Sequence, residues 1–294
     1  MNILHEFEYF KPKSKKEALE LVKGKGSSAK VLAGGTDLII QMKEKMIKTD
    51  AIIDISDLEE LKGIKCEEGK GAEILACTKL VDIEFNADLK KKYPALTYAV
   101  SQLGSNQVRV MATMGGNCCH SSPAAETPAP LSALGAKVVL ASLEGERELA
   151  IEDFIQGNRK NALKEGEILY KFILPEPVKK SACRYGHIGL RNAMEIDCAN
   201  MAANIELEED KKTIKNVKLV MGSVSIKPLV SEAVPKVLVG KNLTEELIAK
   251  AGEAAQSEAK PISDVRASAE YRKDVIGALA RRLVKEAYEA AKEA

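Results

Sequence analysis

Two glycine-bearing stretches carry the residue types from which a phosphate cradle is built: Ala33-Gly34-Gly35-Thr36-Asp37 and Thr113-Met114-Gly115-Gly116-Asn117. A diphosphate held against a protein needs main-chain N–H groups that converge on it, and residues without a Cβ let the chain fold back to aim them. The first stretch follows a short apolar run and opens a helical one, so a helix N-terminus adds its positive end and Thr36 or Asp37 can cap it. Alone, such a turn serves equally well as a ligand-free connection. The second stretch is more specific through its surroundings. Gly104-Ser105-Asn106-Gln107-Val108-Arg109 leads into it, and Ser121-Ser122-Pro123-Ala124-Ala125-Glu126-Thr127-Pro128 follows directly.

Other chemistries fail on spacing. No G-x-G-x-x-G follows a strand, and Lys23-Gly24-Lys25-Gly26-Ser27-Ser28 is no P-loop but a solvated loop. No nucleophile triad, carboxylate pair or metal-ligand cluster stands out. The cysteines at 66, 77, 118, 119, 183 and 198 form no C-x-x-C pair and no iron–sulfur spacing, so any such cluster belongs to another chain. Vicinal Cys118 and Cys119 read as small buried packing residues rather than a redox pair.

The elements that must position these residues follow from apolar periodicity. Residues 29–33 and 51–55 read as strands around a helix at 38–46, a compact α/β unit. A strand at 73–77 precedes a helical stretch at 81–103 that Pro94 divides. Residues 104–130 show almost no period and read as a long irregular loop of the functional kind. Strands at 136–141 and 167–174 lead to Pro175-Glu176-Pro177, a domain boundary. The expected division is 1–177, with lobes of about 1–57 and 58–177, and 178–294. Beyond the boundary come strands at 201–207 and 217–224 and helices at 244–258 and 268–292. In the last helix Val275, Ile276, Leu279, Leu283, Val284 and Ala287 make one apolar stripe.

The 44 basic and 43 acidic residues nearly cancel, which leaves no field to attract nucleic acid or an anionic membrane. The start of the chain lacks the pattern of a signal peptide and no stretch is apolar enough to span a bilayer, so a cytoplasmic protein is expected.

Taken in order, A-G-G-T-D at 33–37, G-x-x-Q-x-R at 104–109, T-x-G-G-N at 113–117, S-P-A-A-E at 122–126, R-N-A-M-E-I at 191–196 and S-D-V-R-A-S-A-E-Y-R at 263–272 resemble the FAD-binding subunits of the molybdenum hydroxylases. That group includes xanthine dehydrogenase and carbon monoxide dehydrogenase. The resemblance implies an α+β protein: a two-lobed FAD-binding domain of the PCMH/vanillyl-alcohol-oxidase type, then a smaller α+β domain with an antiparallel sheet and helices. It implies that Leu32, Ala33, Gly34, Gly35, Thr36, Asp37 and Leu38 wrap the FAD diphosphate, with Thr113, Gly116 and Asn117 in the same cradle. Gln107, Gly115, Cys119, His120 and Ala125 are implied to join them, His120 without a covalent flavin bond. Glu126 stands where the family usually has an Asp that accepts hydrogen bonds from the adenosine ribose or nearby backbone. His187 falls near a family lysine beside the flavin ring, or is simply a packing histidine. The implied assembly adds a molybdopterin-binding large subunit and a 2Fe-2S small subunit. Electrons then pass to NAD+ or another acceptor. The alternatives are a stand-alone FAD-dependent oxidoreductase and a scaffold without flavin. No inserted four-cysteine loop of the benzoyl-CoA reductase branch is present.

Overall fold

The computed structural model describes residues 4–191 and 193–294. Three sheets organise the chain in sequence order. In the first, β1 (Glu8–Phe10) and β2 (Ala29–Leu32) flank β3 (Ala51–Asp54), all parallel. The crossovers are the helices α1 (Lys15–Lys25) and α2 (Leu38–Lys43). β3 is buried along its whole length, which is why it reads as an unbroken apolar run. The segment expected to be a solvated loop at 23–28 is instead the end of α1 followed by a 3-10 turn. Ser14 caps α1 at its start, accepting from the Glu17 N–H.

The second sheet is antiparallel, in the order β4 (Ile64–Glu67), β5 (Gly71–Leu75), β10 (Ile168–Leu174), β6 (Lys137–Ser142), β7 (Gly145–Ala150). Between β5 and β6 runs a string of short helices: α3 (Leu80–Phe85), α4 (Ala87–Lys92), α5 (Pro94–Gln102), α6 (Asn106–Met111), α7 (Met114–His120) and α8 (Pro128–Ala133). After β7 come α9 (Ile151–Phe154) and the small hairpin of β8 (Ile155–Gly157) and β9 (Lys160–Asn161).

Pro94 does divide the helical stretch expected at 81–103, since it begins α5. Asn86 adds a second break by capping α4 through the Leu89 N–H. The larger correction concerns 104–130, which is no irregular loop but carries α6, α7 and the start of α8. Each is only about two turns long, too short for a 3.6-residue period to show. Ser105 caps α6 and Thr113 caps α7.

The third sheet is antiparallel, β11 (Ser181–Ile188), β12 (Ala199–Leu207), β13 (Ile214–Gly222) and β14 (Leu229–Val230). It is followed by α10 (Ala233–Leu238), α11 (Glu245–Glu258) and α12 (Ala269–Glu293). Both faces of this sheet are covered. Met201, Ala203 and Ile205 of β12 pack under α11 and α12, with the whole expected stripe of α12 in the same core. Ala202 on the opposite face meets Ala95 and Ala99 of α5 and Ala129 and Ala133 of α8. Small side chains there bring helix backbones close, and Asn204 Nδ2 donates to the Ala133 carbonyl at 3.1 Å.

Candidate functional site

The two glycine stretches come together in the lining of one cavity of about 590 Å3. Their junction is backbone against backbone. A Cβ on Gly34 would stand 2.3 Å from the Met111 carbonyl oxygen, and one on Gly115 would stand 2.7 Å from that of Ala76. No side chain fits at either position. These glycines therefore serve first to let segments of the protein meet, and only then to admit a ligand.

The two stretches treat their N–H groups differently. In the second, the Gly115 N–H donates to the Ala76 carbonyl (2.9 Å), that of Gly116 to Thr113 Oγ1 (3.1 Å) and that of Asn117 to the Thr113 carbonyl (3.0 Å). Asn117 Oδ1 accepts from Thr127 Oγ1 at 2.6 Å, which ties α7 to the 122–126 segment. In the first, the N–H groups of Gly34, Gly35, Thr36 and Asp37 have no protein acceptor among the described residues. Gly34 to Thr36 are half-buried, Asp37 is exposed and all four line the cavity, so these N–H groups at the start of α2 are available to an anion. Gly35 takes a left-handed conformation there, with φ of 72°. Asp37 precedes α2 without capping it; its carboxylate lies 3.9 Å from His120 Nε2 instead.

Ala33 to Asp37 and Leu38 line the cavity, as do Thr113, Gly115, Gly116, Asn117, Cys119, His120, Ala125 and Glu126. Three expected residues do not. Leu32 is the last residue of β2, and its side chain packs beneath Gly35. Gln107 is exposed, because α6 turns Val108 towards the cavity and buries Arg109. His187 lies behind the wall, with Nδ1 2.9 Å from Asp197 Oδ1 and Nε2 3.3 Å from Gln102 Oε1, stacked on Tyr185. The hydrogen bond to Asp197 raises the His187 pKa against the opposing effect of burial.

Sequence reasoning missed Lys30 and Arg159, the cations that line the cavity; Glu195 and Ile196, the end of the 191–196 motif, line it too. Arg159 lies far from either glycine stretch and arrives through the β8–β9 hairpin; nothing in its local sequence marks it. Arg109 of the G-x-x-Q-x-R stretch is structural. It is buried, pairs with Glu84 at 2.7 Å and donates to the Leu103 carbonyl at 3.0 Å, fixing the turn that forms one rim.

Glu126 is buried in the cavity wall, 7% exposed. Burial, with Asp197 and Asp37 adding repulsion, pushes its carboxyl up to about 8. The expected acceptor carboxylate is thus a neutral acid near neutral pH, able to donate as well as accept. Cys118 is fully buried, and its Sγ lies 3.5 Å from Thr127 Oγ1. Burial raises the pKa of all six thiols. The packing reading of the vicinal pair fits this.

The residues fit a dinucleotide: open N–H groups and two cations for a diphosphate, with apolar walls from Ala76, Leu103, Val108 and Leu169 for rings. Comparison with known proteins agrees. Residues 5–177 match the family model described as the FAD binding domain in molybdopterin dehydrogenase. Residues 185–287 match the CO dehydrogenase flavoprotein C-terminal domain. The chain is 32% identical over 286 residues to the glyceraldehyde dehydrogenase medium chain of Sulfolobus acidocaldarius, covering 96% of this chain and 98% of that one. It is also 32% identical to the carbon monoxide dehydrogenase medium chain of Afipia carboxidovorans, covering 97% and 98%. The solved carbon monoxide dehydrogenase of Hydrogenophaga pseudoflava superposes with a TM-score of 0.93 at 28% identity, over 98% of this chain and 99% of that one. The chain belongs to the FAD-binding family of the molybdopterin dehydrogenases, and is an FAD-carrying oxidoreductase subunit of molybdenum-hydroxylase type.

Proposed function

We propose that this chain is the electron-transferring subunit of a multi-subunit molybdenum hydroxylase, accepting electrons from iron–sulfur clusters on a partner and delivering them to NAD+ or another acceptor. The observation that carries the reading is the row of four open N–H groups, Gly34 to Asp37, on a cavity of dinucleotide size. FAD bound there supplies electron exchange singly or in pairs, the property needed between one-electron carriers and a two-electron acceptor.

The residues of this chain then have separable tasks. The N–H groups of 34–37 hold the diphosphate, and Lys30 and Arg159 offset its charge. Thr113, Gly115, Gly116 and Asn117 keep the second stretch in register. Apolar side chains exclude water from the rings. A subunit in this role needs no acid–base pair of its own, in keeping with the sequence. Residues 1–177 form the flavin unit in this reading and 178–294 the second unit; the spans of the two family models support the division. Medium-chain relatives support a molybdopterin-binding large subunit and a 2Fe-2S small subunit as partners. A cytoplasmic location accords with the finding that no described helix is long and apolar enough to cross a membrane.

Purified chain should be yellow, release FAD on acid treatment, and reduce an artificial dye with NADH without turning over purines or aldehydes. Colourless protein that ignores added FAD would refute the reading. Hydroxylation of substrate by the chain alone would overturn the subunit assignment.

A further inference from the structure

The 263–272 segment meets the residue before β12 and the residue after β13 through one buried side chain. Arg272, 1% exposed, donates from one guanidinium nitrogen to the carbonyls of Cys198 (2.8 Å) and Ser223 (3.1 Å), and from another to Asp264 Oδ1 (2.7 Å). Asp264 is also held by Arg266, whose main-chain N–H donates to the same Oδ1 at 2.9 Å and whose Nε donates to Oδ2 at 3.1 Å. Arg266 first, then Arg272, holds its carboxyl well below the usual carboxylate range.

Both carbonyls belong to chain ends that reach the cofactor cavity. Ser223 donates its N–H to the Pro123 carbonyl at 2.7 Å and its hydroxyl to the Asp197 carbonyl at 3.1 Å. Pro123 lies between Ser122 and Ala124, which line the cavity. Cys198 ends the short run that places Glu195 and Ile196 on the cavity wall. Ser223 has φ of 63°, a left-handed conformation unfavourable for any residue but glycine, and keeps it only where the surroundings dictate it.

Stability alone does not account for Arg272. It sits in the first turns of α12, where the helix dipole opposes a cation. Its Nε is buried with no partner among the described residues. An apolar side chain there would leave the Cys198 and Ser223 carbonyls and the Asp264 carboxylate without this donor, so the guanidinium also holds these segments together. What the guanidinium adds is a fixed fork that sets two carbonyls from different strands at a defined separation.

We propose that Arg272, oriented by Asp264, is a positioning residue of the flavin cavity: it fixes the Cys198 and Ser223 carbonyls so that Glu195, Ile196 and the 122–126 segment stand at the spacing that retains FAD. The proposal rests on the FAD reading above.

The test compares wild type with Arg272→Met, Arg272→Lys and Ser223→Gly, reading FAD release by the rise of flavin fluorescence on dilution. The vibronic resolution of the bound-flavin absorption band and the melting temperature of the flavin-free protein are read alongside. Arg272→Met should release FAD about tenfold faster and blur the band, as loss of a buried charged hydrogen bond implies; Arg272→Lys should restore part of both. Ser223→Gly suits the left-handed backbone and deletes only the hydroxyl bond, so it should speed release without lowering the melting temperature. If Arg272→Met does not fold, Arg272→Lys decides the matter, since it keeps the charge but not the planar donor set and should release FAD faster than wild type. Wild-type release and band shape in folded variants would overturn the proposal. Wild-type protein that binds no FAD would instead sink the underlying flavin reading and this proposal with it.

Discussion

The first and second glycine stretches have nearly the same composition and opposite uses of it. Residues 34–37 leave their N–H groups open to the cavity, whereas Gly115, Gly116 and Asn117 commit theirs to Ala76 and Thr113. One stretch leaves its donors without a protein acceptor among the described residues; the other spends its donors on the surrounding chain. The comparison teaches that a glycine pair near a cofactor is not by itself evidence of phosphate contact. The partner of each N–H decides, and the partner is a tertiary fact.

The largest effect should come from attacking the second stretch. Gly115→Ala places a methyl group 2.7 Å from the Ala76 carbonyl oxygen and 2.8 Å from its Cβ. It should lower unfolding free energy by about 1–3 kcal/mol, as overpacking does, and lose flavin as well. Chemical denaturation with and without FAD checks both. A variant of wild-type stability would show that this stretch is softer than its contacts.

A matched pair then separates the stretches. Thr113→Ala removes the cap of α7 and should cost about 1 kcal/mol while FAD stays bound. Gly35→Ala forces a side chain into a left-handed turn at a similar cost of about 1 kcal/mol, yet should weaken FAD binding about tenfold because the open N–H groups are displaced. Titration of the flavin-free proteins with FAD distinguishes them. Equal loss of affinity in both would erase the contrast between the stretches.

A separate contrast concerns pH. With its carboxyl at about 8 against an ordinary 4.5, Glu126 stays protonated in the folded chain where the unfolded chain has already ionised. Its contribution to stability is therefore full below about 4.5 and declines as pH rises through about 8. Glu126→Gln should flatten the fall in melting temperature of the flavin-free protein across that interval. An unchanged slope would assign the pH dependence elsewhere.

Much of the architecture is legible in the chain itself. The strand, turn, helix, strand order around Gly34 follows from apolar runs, and the α12 stripe lies in the core as its spacing requires. The 104–130 region defeats periodicity because its helices are about two turns long, although Ser105 and Thr113 carry ordinary capping chemistry. Lys30 and Arg159 are invisible for another reason: they reach the cavity through sheet pairing and a hairpin rather than through a motif. His187 lies on β11 outside every motif, and the alternation of a strand is what sets its side chain against Asp197 and Gln102.

The burial of the thiols bears on durability. A protein that handles electrons beside an oxygen-reactive cofactor works where peroxide can form, and peroxide attacks thiolates rather than thiols. With every cysteine pKa raised, almost no thiolate is presented near neutral pH. Burial holds Cys118, and Cys119 in the cavity lining, as thiols rather than thiolates near neutral pH, the form that reacts slowly with an oxidant.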